Sequence, residues 1–187
     1  MPWGCCHAES WYALKSRQVE ANGVRSRMGG GGKPSTGTAE LRAQMGAFLR
    51  GEGDSRALVE AVRGAELLLP LLGEGAVWTA DSGDIRWLFA FTGTREMHTF
   101  LQQKWEAAEP GELPAELARY ARYVAVNGEE LLHELLPAWV GRDRVPMGVV
   151  VDVSSASRAF LPPVSGIVPD GIALDKQSVT DGEVFAR

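Results

Sequence analysis

The sequence predicts an α+β fold, a mixed β-sheet with helices packed on it, and three observations carry that expectation. Apolar residues gather along 76–80 and 85–91 around the turn residues Asp81-Ser82-Gly83-Asp84, the pattern of an antiparallel hairpin. They recur at helical spacing in Leu41, Met45, Phe48 and Leu49, and again in Leu131, Leu132, Leu135 and Leu136. The β-branched run from Met147 to Val153 follows the second of these helices and reads as a strand buried on both faces. Strand, helix and strand in that order predict one βαβ crossover with a right-handed, parallel pairing.

Along the chain, residues 1–37 show no sustained period and end in Gly29-Gly30-Gly31-Gly32-Lys33-Pro34, so they read as a flexible leader. Met28 stands directly before the glycines, which makes it a candidate translation start. Thr38 can cap the first helix, which Gly51 and Gly53 end, and Asp54 can cap a second helix with the stripe Leu58, Ala61 and Val62. Leu67–Leu72 reads as a buried strand that ends or sits at an edge at Pro70. With Ser82-Gly83 as the hairpin turn, Ala80 would oppose Ile85 and Trp78 would oppose Trp87.

The second hairpin strand puts Ile85, Trp87, Phe89 and Phe91 on one face. Thr92 or Thr94 can cap the next helix, whose inward side carries Met97, Phe100, Leu101 and Trp105. A proline-rich loop leads to a short helix around 115–118, then to a strand over 120–126, its end at Asn127-Gly128, and a helix over 129–138. After the 147–153 strand, 158–161 and 172–174 read as short closing strands, and residues 175–187 as a polar tail. The domain expected is therefore 38–174.

A length of 187 residues suits one domain, and 45% apolar with 23% charged residues is an ordinary globular balance. The net charge is −5; residues 1–37 carry five basic and two acidic residues, which leaves the rest of the chain at −8. An acidic body without a basic run opposes binding to a phosphate backbone, so no nucleic-acid partner is expected. No apolar stretch approaches the roughly 20 residues of a membrane span, so no membrane partner is expected either. The two cysteines, Cys5 and Cys6, are adjacent and lie in the leader, and a body without thiols is compatible with the reducing cytoplasm, where we expect the protein.

Candidate chemistry is sparse. Cys5-Cys6-His7 with Glu9 offers metal-binding side chains, but the further cysteines that a zinc deaminase shell needs are absent downstream of Cys6. The Gly29–Lys33 run lacks the Ser or Thr after its lysine that a phosphate-binding loop requires. His98 reads as a residue at the border of a buried helix face and His133 as a solvated helix residue, neither with a spaced partner for nucleophilic catalysis. Asp81 and Asp84 read as turn residues. No catalytic residue, cofactor or metal is expected. Trp78, Trp87 and Phe160 are the candidate binding residues, because aromatic side chains dominate interface hot spots, although strand alternation favours a core position for the two tryptophans.

The stretch from the second helix to Leu174 resembles the SseB family N-terminal domain of the actinobacterial type. The resemblance rests on Leu68-Leu69-Pro70-Leu71, on the Ile85–Thr92 segment IRWLFAFT, on Gly128-Glu129-Glu130-Leu131-Leu132, and on Pro146–Val153, PMGVVVDV. It implies a small α/β module without an assigned catalytic residue. The function expected is association with a protein partner through the aromatic hairpin face or a sheet edge. The alternative is an enzyme or small-metabolite pocket near the end of the 147–153 strand, where Asp152, Ser154, Ser155 and Ser157 follow a buried strand.

Overall fold

A computed structural model of the chain describes residues 16–20, 36–72, 76–108 and 122–177. The strands are β1 (Ser16–Glu20), β2 (Glu66–Leu72), β3 (Ala76–Ser82), β4 (Ile85–Ala90), β5 (Tyr123–Asn127), β6 (Met147–Val151) and β7 (Ala159–Leu161). The helices are α1 (Thr36–Leu49), α2 (Ser55–Arg63), α3 (Thr94–Ala107) and α4, which runs unbroken over 128–143. A 3₁₀ turn (Asp170–Ile172) and a helical turn, α5 (Leu174–Gln177), follow.

All seven strands join one sheet in the order β5-β2-β3-β4-β6-β7, with β1 also paired to β3. The fold is the α+β fold read from the sequence, a mixed sheet with helices on both faces. β1 runs antiparallel along the whole of Ala76–Ala80, so it occupies one side of β3. The other side is shared: β4 pairs with Thr79–Ser82 and β2 takes over at Val77 and Ala76. Ser16–Glu20 is thus a strand inside the segment read as leader, because a strand beside a long partner takes its register from that partner's backbone and needs no apolar period of its own. The other leader features, Met28 and the glycine run among them, lie outside the described residues, as do the 115–118 helix and the tail beyond 177.

Burial follows strand alternation. Leu67, Leu69, Leu71, Leu88, Ala90, Val149 and Val151 face Leu41 and Met45 of α1, the apolar stripe of α2, and Leu131, Leu132 and Leu136 of α4. Trp78, Ala80, Trp87, Phe89, Phe91 and Val150 face the opposite way, toward Met97, Phe100 and Leu101 of α3. Phe100 is the centre of this second core, with ring centroids 4.8 Å from Phe89, 5.3 Å from Phe91 and 5.5 Å from Trp78. Such pairs contribute about 0.5–1.5 kcal/mol each beyond their buried area.

Several local expectations are corrected. The hairpin turns on Gly83-Asp84, with Gly83 at a φ of 60°, so Ser82 faces Ile85 and Ala80 faces Trp87, and Trp78 does not oppose Trp87. Glycine at the first central position is what a tight two-residue loop of the II′ kind requires. β2 does not stop at Pro70 but continues to Leu72. Leu68 and Leu71 donate to Phe91 and Arg122 on opposite sides, so alternation turns the Pro70 nitrogen to the side where β2 changes partner from Phe91 to β3, and no ladder bond is lost.

The 123–127 strand and the 147–151 strand are not neighbours. Among the described residues the one parallel strand pair joins β4 to β6, and β5 lies at the far edge beside β2. Adjacent order along the chain misled because β2, β3 and β4 stand between β5 and β6 in the sheet. Within α4 the turn at Leu131–Leu135 is π-helical, closed by the Leu136 N–H on the Leu131 carbonyl. Pro137 lies just beyond; it has no N–H to give the preceding turn and its ring needs room there, which a widened turn provides. The helix then carries on to Asp143, beyond the 138 expected. Residues 172–174 form no strand; they pass from the 3₁₀ turn into α5, where Asp175 accepts a backbone bond from Ser165.

Candidate functional site

The aromatic residues singled out in the sequence are separated by their burial. Trp78 is 0% exposed and Trp87 only 6%, so the hairpin face is a core face, covered by α3. Phe160 is 36% exposed on β7, the strand that ends the sheet order. Its ring meets Trp87 edge to face, with centroids 5.6 Å apart and planes at 88°.

Backbone register explains the meeting. Trp87 is the partner of Gly148 on β6, and Phe160 is the partner of Val150, so all four residues share one face of three adjacent strands. Gly148 has no side chain to fill the space between them. A Cβ built there would lie 2.9 Å from Trp87 Cζ3 and 2.9 Å from the Leu161 carbonyl oxygen. The glycine therefore lets Trp87 reach across β6 and brace the exposed ring of Phe160 from beneath.

At the C-terminal ends of the same parallel pair sits a buried polar node. Asp152 directly follows β6, is 4% exposed, and has a φ of 49°. Its N–H donates to Ala90 (2.9 Å), and its carboxylate accepts twice from Thr92: from the backbone N–H at 2.9 Å and from the hydroxyl at 2.6 Å. The Thr92 hydroxyl accepts in turn from Nε of Arg42 (2.8 Å), whose Nη2 meets Glu96 at 2.9 Å. Burial holds the Asp152 carboxyl above its ordinary value, against the opposing pull of the two Thr92 bonds.

Thr92 was expected to cap the following helix, as was Thr94. Neither does so: α3 starts at Thr94 itself behind Gly93, without a side-chain cap, and the Thr92 hydroxyl is engaged by Asp152. Thr38 likewise lies within the first turn of α1 and gives its hydroxyl to the Glu66 carbonyl, tying the helix to β2. Asp54 and Asn127 do cap, accepting from Ala57 and Glu129.

The other sequence candidates stand apart from this site. His98 is exposed on α3 rather than at a buried border. His133 is exposed on α4, 3.4 Å from a guanidinium nitrogen of Arg63 and 3.8 Å from Glu129. Asp81 is held by Arg86 at 2.8 Å, and the other arm of that arginine reaches Asp143 at 2.9 Å. Cys5, Cys6 and His7 lie outside the described residues. Among the described residues, no group of three His, Cys, Asp or Glu side chains is placed to hold a metal ion.

Two apolar features were misread from the sequence: Trp105, expected on the inward side of α3, is 39% exposed, and so are the last apolar residues of α1. Phe48 and Leu49, at helical spacing with Leu41 and Met45, are 47% and 59% exposed at the end of α1. Spacing alone could not tell this, because it sets which residues share a helix face and not how far along the helix that face is covered.

No family model, no curated protein and no solved structure matches this chain. Among the described residues no helix is long and apolar enough to cross a membrane.

Proposed function

We propose that this chain is a non-catalytic protein-interaction or regulatory module of the SseB-like type, and that its partner docks on the β7 edge with Phe160 as the anchoring side chain. The observation that carries the reading is the exposure of Phe160 on the outermost strand, braced by a buried Trp87. A rigid aromatic loses little freedom on binding, and a strand at a sheet edge can align an extended segment of a partner by backbone hydrogen bonds. The acidic body favours a protein over a nucleic acid as the partner, and we assign the module to the cytoplasm.

The competing reading, a catalytic or metabolite pocket beside Asp152, places a ligand against a carboxylate that is 4% exposed and already accepts from Thr92 at both oxygens. A thermal-shift screen with metabolites tests it: a saturable shift abolished by Asp152→Ala would favour that reading over docking.

Docking itself is tested by affinity capture with wild type, Phe160→Asp and Phe48→Asp, each first shown to be folded. A protein retained by wild type and Phe48→Asp but lost by Phe160→Asp is the expected result. Equal capture by all three would overturn the assignment of the surface.

A further inference from the structure

The β3–β4 turn and the segment entering β6 enclose a cleft of about 340 Å³. It lies at the N-terminal ends of the parallel strands β4 and β6, where the Arg86 N–H donates to the Pro146 carbonyl at 2.9 Å, and so at the opposite ends from Asp152. Four charged side chains line it, Asp81, Asp84, Arg86 and Arg144, and the half-buried Ile85, Val145 and Pro146 supply an apolar wall.

The charges fall into two sets. Arg86 gives one arm to Asp81 at 2.8 Å and the other to Asp143 of α4 at 2.9 Å, so its charge is matched inside the protein and the bridge fixes the hairpin to the end of α4. Asp84 and Arg144 are exposed, and among the described residues neither makes an ion pair or a side-chain hydrogen bond. Backbone geometry places both of them. Asp84 is the second residue of the turn that Gly83 opens at a φ of 60°. Arg144 directly follows α4 at a φ of 58°, uncommon for a residue with a side chain, and its N–H is held by the Val140 carbonyl at 2.8 Å.

We propose that this cleft binds a small zwitterion, an ammonium and a carboxylate on a short aliphatic body, with Arg144 taking the carboxylate and Asp84 the ammonium. Charge selects the class. An anion drawn to Arg144 enters a cleft that also holds the carboxylates of Asp81 and Asp84, and a cation drawn to Asp84 enters one that also holds the guanidinium of Arg144. A ligand with one charge of each sign meets both side chains favourably, each through a charge-assisted hydrogen bond. The volume is near the lower end of small-molecule sites, about 300–1,000 Å³, and suits a ligand of amino-acid size whose aliphatic part lies on the apolar wall. This site goes beyond the β7 reading and does not depend on it.

Amide NMR of the full chain, titrated with L-leucine and with ε-aminocaproate, tests it; the two probes carry their charges at short and at long separation. Saturable shifts at Gly83, Asp84, Arg144 and Val145, with a Kd below about 5 mM, are expected for at least one of them. Hexylamine and hexanoate, which carry one charge each, should bind weaker by about tenfold or more. Arg144→Gln and Asp84→Asn change exposed positions, so the Leu67 and Leu69 amides should keep their shifts while each variant weakens the zwitterion by about tenfold. Saturation by neither zwitterion below that limit, equal binding of hexylamine or hexanoate, or wild-type binding by either variant would overturn the site. Shifts centred on residues 152–158 would overturn it as well and favour a pocket beside Asp152. Phe160→Asp should leave the titration intact, so failure of docking and failure of the cleft give different results.

Discussion

Trp87 rests against Gly148 and turns toward Phe160, so a buried ring on β4 supports an exposed ring two strands away on β7. The support depends on an absent side chain. Gly148→Ala puts a methyl group 2.9 Å from both Trp87 and the Leu161 carbonyl, and one of the two neighbours must move. We expect a loss of about 1–3 kcal/mol in denaturant unfolding, the usual range for overpacking, together with a changed tryptophan emission. An unchanged midpoint would mean that β7 yields freely and that Trp87 does not brace it.

Thr92→Val removes the hydroxyl that links Arg42 to Asp152 and leaves a buried carboxylate oxygen unsatisfied. The expected loss is about 1–3 kcal/mol at neutral pH, whereas Thr92→Ser, which keeps both bonds, stays near wild type. The pH dependence has a definite sign. Asp152 titrates higher in the folded chain than in the unfolded one, so its contribution to stability is fully present below the ordinary carboxylate range and declines as pH rises through the folded value. Thr92→Val deletes the main influence holding that value down and drives it higher still. The deficit against wild type should therefore shrink as pH falls toward about 4, as urea midpoints across pH will show; a deficit independent of pH would mean that the hydroxyl does not act on the carboxylate.

Gly128 follows the Asn127 cap at the entry to α4, where α4 and α2 meet through their backbones. A Cβ at Gly128 would fall 1.8 Å from the Val62 carbonyl oxygen, and backbone atoms on both sides leave little room to yield. Gly128→Ala is expected to lower stability by about 3 kcal/mol or more, read from thermal melts of soluble protein. A wild-type melting temperature would show that the α2–α4 contact is loose.

How far these features were legible in the sequence depended on whether the signal was local. The stripe of Trp87, Phe89 and Phe91, with Ile85 partly buried at its end, and the apolar positions of α4 followed from period alone, and both lie in the core as their spacing implied. Pairing was less legible, since a helix after β5 says that the chain crosses the sheet but not how far, and it crosses to β6 at the other side. β1 could not be read at all from Ser16-Arg17-Gln18-Val19-Glu20, which has no apolar alternation. At the candidate site, Phe160 and Asp152 were both visible as residues. Their relationships to Trp87 and Thr92 were not, because each depends on the parallel register of β4 and β6, a contact between segments roughly sixty positions apart.

Phe48 and Leu49 form another exposed apolar spot at the end of α1, and Trp105 stands exposed on α3. Replacing Phe48 with Asp should change stability by no more than about 0.5 kcal/mol, the range for surface positions. A larger loss in chemical denaturation would mean that this ring is covered in solution and that Phe48→Asp is an unsuitable control for docking.

The central claim is that β7 and Phe160 receive the partner. Hydrogen-exchange footprinting of the captured complex against the free chain addresses it most directly. We expect new protection confined to 159–161 and the adjoining turn, lost together with binding in Phe160→Asp. Protection centred on Phe48 and Leu49, or on α3, with 159–161 unchanged, would contradict it.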